Sequence, residues 1–136
     1  MRGRAKGMLK ALMLGIVIQE GRVHGYRVYK RLMGFGAGRW RPSIGTIYRT
    51  LCEMVEEGLL EREEEARGGR VVAYYTPTER GIGEFLERSR VFLERMELGL
   101  SLLTATLKRL RSLGVADRVV EERMKNLYDL LQEYLG

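Results

Sequence analysis

The sequence is poor in the side chains that do chemistry. Its 136 residues hold one histidine, one cysteine, one tryptophan and two aspartates, Asp117 and Asp129. No spacing of His, Cys and Asp suits a metal, and no Ser-His-Asp or Cys-His set can be assembled with several candidates per role. The sixteen glutamates fall in runs or on helix faces, where solvation is their ordinary role. Catalytic and metal-ligating residues are therefore expected to be absent, and so is a cofactor. A lone Cys52 cannot close an internal disulfide, and its expected place is that of a small buried apolar residue. No run of 18 apolar residues is present, so no membrane span is expected. The apolar stretch Met8–Ile18 is too short for one, and no small-residue cleavage site follows it. These features point to a cytoplasmic chain.

What is present is basic charge, unevenly placed. The net charge is +6, with nineteen Arg against five Lys. Residues 1–50 hold eleven Lys/Arg and one acid, Glu20, while residues 51–136 hold thirteen Lys/Arg and seventeen acids. A basic first third on a mildly acidic remainder is the footprint of a polyanion-binding face. Guanidinium forks suit phosphate and guanine.

Hydrophobic periodicity predicts five helices and one hairpin. The first helix spans about Lys6–Gln19; its apolar residues Met8, Leu9, Leu12, Leu14, Ile16 and Val17 nearly surround it, so it should be buried. The second spans about Gly25–Met33, with Tyr26, Val28, Tyr29 and Leu32 inward, and residues 34–38 form a glycine-rich connector. The third follows Pro42, with Ser43 as N-cap, an inward stripe Ile44, Ile47, Tyr48, Leu51, Met54 and Val55, and Gly58 at its end. Its opposite face reads Thr46, Arg49, Thr50, Glu53 and Glu57. A hairpin pairs Leu59–Glu65 with Arg70–Thr76 around residues 66–69, and the acidic run Glu61–Glu65 should be solvated and point away from any DNA. A long helix then runs from Thr78 to about Leu113, roughly 54 Å by its rise. Its stripe Ile82, Phe85, Phe92, Met96, Gly99, Leu103, Leu107 and Leu110 approximates a heptad seam. A last helix covers about Ala116–Tyr134.

The expected fold is therefore mainly α: a winged helix-turn-helix of three helices and a two-stranded wing over residues 1–77, then a long dimerisation helix and a further short helix over residues 78–136. In that arrangement the third helix enters the major groove of double-stranded DNA. Arg41, Ser43, Thr46, Tyr48, Arg49 and Thr50 are its candidate contacts, with Arg67 and Arg70 on the wing. Tyr48 divides between packing with a hydroxyl left for phosphate and pure core. Trp40, just ahead of the cap, is expected in the core or as a staple. His24 is expected as a cap. Phe85, Phe92, Met96, Leu103, Leu107 and Leu110 are the candidate homodimer seam, and Phe92 with Met96 the candidates for a ligand pocket. The competing reading is a winged-helix adaptor that binds protein and carries a coiled-coil arm.

Several short motifs in fixed order sharpen this. They are His24-Gly25-Tyr26, then Trp40-Arg41-Pro42-Ser43-Ile44-Gly45-Thr46-Ile47-Tyr48, then Leu51, Gly58-Leu59 and Glu61, then Tyr74-Tyr75-Thr76-Pro77-Thr78-Glu79-Arg80-Gly81. Over residues 8–85 the chain resembles the PadR family of transcriptional regulators. The resemblance implies a winged helix that dimerises through its long C-terminal helix, and a repressor acting on a pseudo-palindromic operator. It also implies a small apolar or phenolic effector that relieves binding.

Overall fold

The stretch that is apolar on every side forms the centre of the fold. In the computed structural model, which describes residues 2–35 and 41–136 and side chains from residue 7 onward, α1 (Arg2–Glu20) buries Leu9, Met13, Leu14, Ile16 and Val17. After it, β1 (Val23–His24) leads into α2 (Gly25–Met33), which turns Val28 and Leu32 to the same core. The helix α3 (Ile44–Glu56) adds Ile47, Leu51 and Met54 at helical spacing. Then β2 (Leu60–Arg67) and β3 (Arg70–Pro77) form a hairpin, followed by α4 (Glu79–Ser112) and α5 (Arg118–Leu135).

The sheet has three strands in the order β1-β3-β2, all antiparallel. Its third strand was not expected: two residues are too few to show a period, and only pairing with Tyr75 and Tyr74 defines β1. The hairpin is also tighter than its flanking residues suggest. Arg67 pairs with Arg70, leaving the two-residue turn Gly68-Gly69 with φ of 54° and 79°. Two successive positive φ angles match the right-handed strand twist, and glycine adopts them without a Cβ clash. Thr78 joins wing to α4: its hydroxyl donates to the Gly58 carbonyl at 2.6 Å and accepts from the Gly81 amide at 3.0 Å.

Several side chains lie elsewhere than periodicity implied. Cys52 is exposed, not buried, because it lies roughly 140° around α3 from Ile47, off the core side. Ile44 and Tyr26, placed inward by their spacing, are exposed, each in the first turn of its helix, beyond the reach of the core. Trp40 and connector residues 36–38 lie outside the described residues.

The chain divides into two compact units, Met1–Phe92 and Leu93–Gly136. The first contains the whole buried core, with Phe85 packed against it. The second contains no buried residue. Within it Arg111 and Glu121 pair at 3.1 Å, and Asp117 caps α5 by accepting from the Val120 amide at 3.0 Å. No described helix is long and apolar enough to cross a membrane.

Candidate nucleic-acid interface

The start of α3 is built by Ser43. Its backbone is extended, and its Oγ accepts from the Thr46 amide at 3.1 Å and meets Thr46 Oγ1 at 2.9 Å. That cap satisfies one of the amides orphaned at a helix start; those of Ile44 and Gly45 have no intrahelical carbonyl and carry the positive end of the helix dipole. Around this end Arg41, Ser43, Ile44, Gly45, Tyr48 and Arg49 are exposed and Thr46 is half-buried. Backbone donors, hydroxyls and guanidinium groups together suit an anion with oxygen acceptors.

Tyr48 is held by α2. A Cβ on Gly25 would run into its ring, so glycine there is what allows the tyrosine to lie across the start of α2. The ring packs while the side chain stays 41% exposed, so Tyr48 is not purely core. This fit joins Gly25 of one motif to Tyr48 of the next. His24 caps α2, its Nδ1 accepting from the Arg27 amide at 3.2 Å.

Thr50 is a correction. It is 3% exposed and its hydroxyl donates to the Thr46 carbonyl at 2.7 Å. At about 100° per residue, Thr50 sits only roughly 60° around the helix from Ile47. It therefore belongs to the core side, where a buried hydroxyl bonds the carbonyl one turn back. Thr50 is withdrawn from the candidate DNA contacts.

Much of the basic charge in the first third is already paired. Glu20 holds Arg27 at 3.2 Å and Arg31 at 2.6 Å, and hydrogen bonds from Arg27 and then Arg31 keep its carboxyl below the ordinary range. Lys10 bridges to Glu57 at 3.0 Å and Glu53 at 3.5 Å, tying α1 to α3. Arg22 is bound to Glu65 at 2.9 Å. Lys30, Arg41, Arg49 and Arg70 are exposed and make no ion pair among the described residues. Composition alone did not single out Lys30. On the wing, Arg67 and Arg70 stand directly opposite each other beside the turn. Like charges so placed repel, and a polyanion would relieve that cost.

The proposed seam residues are not equivalent. Phe85 packs against Gly15 and the core of its own unit, which removes it from a seam between chains. Phe92 and Leu103 are exposed, whereas Met96, Leu107 and Leu110 are half-buried. A cavity of about 400 Å³ within the second unit is lined by Thr104, Leu107, Lys108, Arg111, Met124 and Tyr128, among others. Phe92 and Met96 do not line it. Among the described residues no group of three or more His, Cys, Asp or Glu could hold a metal.

Comparison with known proteins agrees with this geometry. Residues 13–87 match the model of the transcriptional regulator PadR-like family. The transcriptional regulator YqjI of Escherichia coli is 33% identical over 91 residues, which are 67% of this chain and 42% of that protein, so the chain spans well under half the length of this curated relative. A PadR-like transcriptional regulator from Bacillus cereus is 30% identical with a TM-score of 0.61, over 72% of this chain and 93% of that one. Bacillus subtilis PadR, solved in complex with operator DNA, shares the fold over 94% of this chain and 97% of its own, at 18% identity and a TM-score of 0.54.

Proposed function

The chain belongs to the transcriptional regulator PadR-like family, whose model covers more than half of it, and from that premise we propose that it binds double-stranded DNA sequence-specifically as a homodimeric repressor in the cytoplasm. The observation that carries the reading is the exposed start of α3, where free amides, Ser43, Thr46, Tyr48, Arg41 and Arg49 converge and the two arginines have no ion-pair partner among the described residues. In this reading residues 1–77 hold the DNA. The α3 arginines reach the major groove, while Arg67 and Arg70 on the wing touch backbone or minor groove. Residues 78–136 form the arm. The unburied apolar residues of Leu93–Gly136 support pairing with a second copy, which makes a two-fold operator the natural target. A small apolar or phenolic effector near Phe92 and Met96 would act on that arm. The family is one of regulators, not of enzymes.

Salt titration of duplex binding tests this. With three or four phosphates met by each half, log affinity should fall against log salt with a slope of roughly −5 to −7. Arg49→Ala should weaken a selected site far more than random duplex, since a bidentate arginine–guanine contact carries about 1–3 kcal/mol of discrimination. Arg67→Ala should weaken both alike. No binding to any duplex at low salt rejects the regulator and returns the adaptor reading. An unchanged ratio of specific to random affinity in Arg49→Ala moves base reading to Thr46 or Tyr48.

A further inference from the structure

The outer face of the hairpin carries a charge arrangement that a DNA-binding wing does not require. Residues directly opposite across strands share a face. The register therefore sets Arg67 beside Arg70, Glu65 beside Val72, and Glu63, Tyr74 and His24 in one row. Arg22, just ahead of β1, lays its guanidinium 3.9 Å from the centre of the Tyr74 ring and donates through Nη2 to Glu65 Oε2 at 2.9 Å. The same Oε2 lies 4.0 Å from Arg67 Nε, and the Arg67 guanidinium stands 5.8 Å from the same ring. One carboxylate and one ring thus hold two cations. Burial does not force the pairing, because the side chains of Arg22, Glu65 and Arg67 are 41%, 42% and 65% exposed. The hydrogen bond to Arg22 keeps the Glu65 carboxyl below its ordinary range and raises Arg22 above its own, with Glu63 adding its field to Arg22.

We propose that Glu65 acts as an intramolecular stand-in for a DNA phosphate, occupying Arg22 and the inner edge of Arg67 so that the wing meets DNA with fewer free cations than its sequence contains. The inference rests on the DNA-binding reading above. A cation already neutralised by a carboxylate releases fewer counterions when it meets a phosphate, and a retained Glu65 repels that phosphate. Backbone contacts carry no base information, so the clamp lowers the grip on every sequence alike. It thereby leaves a larger share of affinity to the α3 contacts that read bases.

The test uses the full chain and a random-sequence duplex titrated across salt. Glu65→Gln should raise affinity roughly five- to tenfold per wing near 0.1 M salt and steepen the salt slope by about one per wing. Glu65→Asp, which keeps the charge, should stay with the parent chain. Most of the gain should be lost in Arg22→Ala/Glu65→Gln, because Arg22 is the cation hydrogen-bonded to Glu65 at 2.9 Å, whereas Arg67 lies 4.0 Å from it. Arg22→Ala alone should change affinity little, which keeps the clamp testable if the glutamine variant folds poorly. A parent chain that binds with a steep salt slope while Glu65→Gln changes neither slope nor affinity overturns the clamp and leaves the DNA reading standing. So does a gain that survives Arg22→Ala undiminished, which would mark simple loss of a negative charge. A parent chain that binds no duplex at low salt overturns both.

Discussion

The two units of this chain handle apolar surface in opposite ways. Met1–Phe92 encloses Met13, Leu14, Ile16, Val17, Val28, Leu32, Ile47, Leu51, Met54 and Leu60 almost completely. Leu93–Gly136 is helical apart from the turn between α4 and α5 and its last residue, but leaves Leu98, Leu102, Leu130, Leu131 and Tyr134 largely in solvent. Helices draw most of their stability in water from packing of an amphipathic face, not from propensity. The first unit supplies that packing itself, from three helices, a sheet and the start of α4. The second has two helices and no third element, so its apolar faces call for a surface it does not carry.

The sharpest break in this contrast should come from the core. Leu51→Ala should cost about 2–5 kcal/mol of folding stability, because a fully buried side chain leaves a cavity as well as losing its transfer energy. Thermal or urea unfolding measures it. A cost under 1 kcal/mol would mean α3 is not locked to α1 and α2 as the burial implies.

Charges placed along the α4 stripe probe the other half of the comparison. Phe92→Glu, at the end of the first unit, with Leu103→Glu, in the second, puts carboxylates on two exposed apolar positions of that stripe. If these face a second copy, each burial costs on the order of 2 kcal/mol or more. Light scattering at micromolar concentration should then report the mass of one chain, with the unfolding of the first unit little changed. Retention of the dimer mass moves the seam to another face of α4 or to α5.

The smallest effect is expected at Thr50. Thr50→Val removes a hydroxyl and its bond to the Thr46 carbonyl, which stays within the helix ladder. The stability change should be about 1 kcal/mol or less, with no change in the ratio of specific to random DNA affinity. A loss of that ratio would restore Thr50 to the contacts.

Legibility along the chain followed the range of the interaction. The 3/4 spacing of Ile47, Leu51 and Met54 and the cap at Ser43 are local, and both stand as read. The same spacing misplaced Ile44 and Tyr26, because a period gives a face but not how far along the helix the core extends. Thr50 and Cys52 show a second failure: the polar residue lies inside and the sulfur outside, so residue type was the poorer guide to angle around the helix. Arg22, Tyr74 and Glu65 are far apart in sequence and meet only through the register of β1 on β3 and β2 on β3.

By itself, then, the sequence determined what depends on neighbours a few residues apart. That covers the order of helices and hairpin, the capped α3 with its polar first turns, the basic first third, and the motifs shared with a regulator family. Only the tertiary structure decided which of those cations are free. Glu20 takes Arg27 and Arg31, Glu57 takes Lys10 and Glu65 takes Arg22, while Lys30, Arg41 and Arg49 make no ion pair among the described residues. The physical reason is that charge is counted along a chain but neutralised across space. An ion pair forms within about 4 Å, a distance that packing and strand register set.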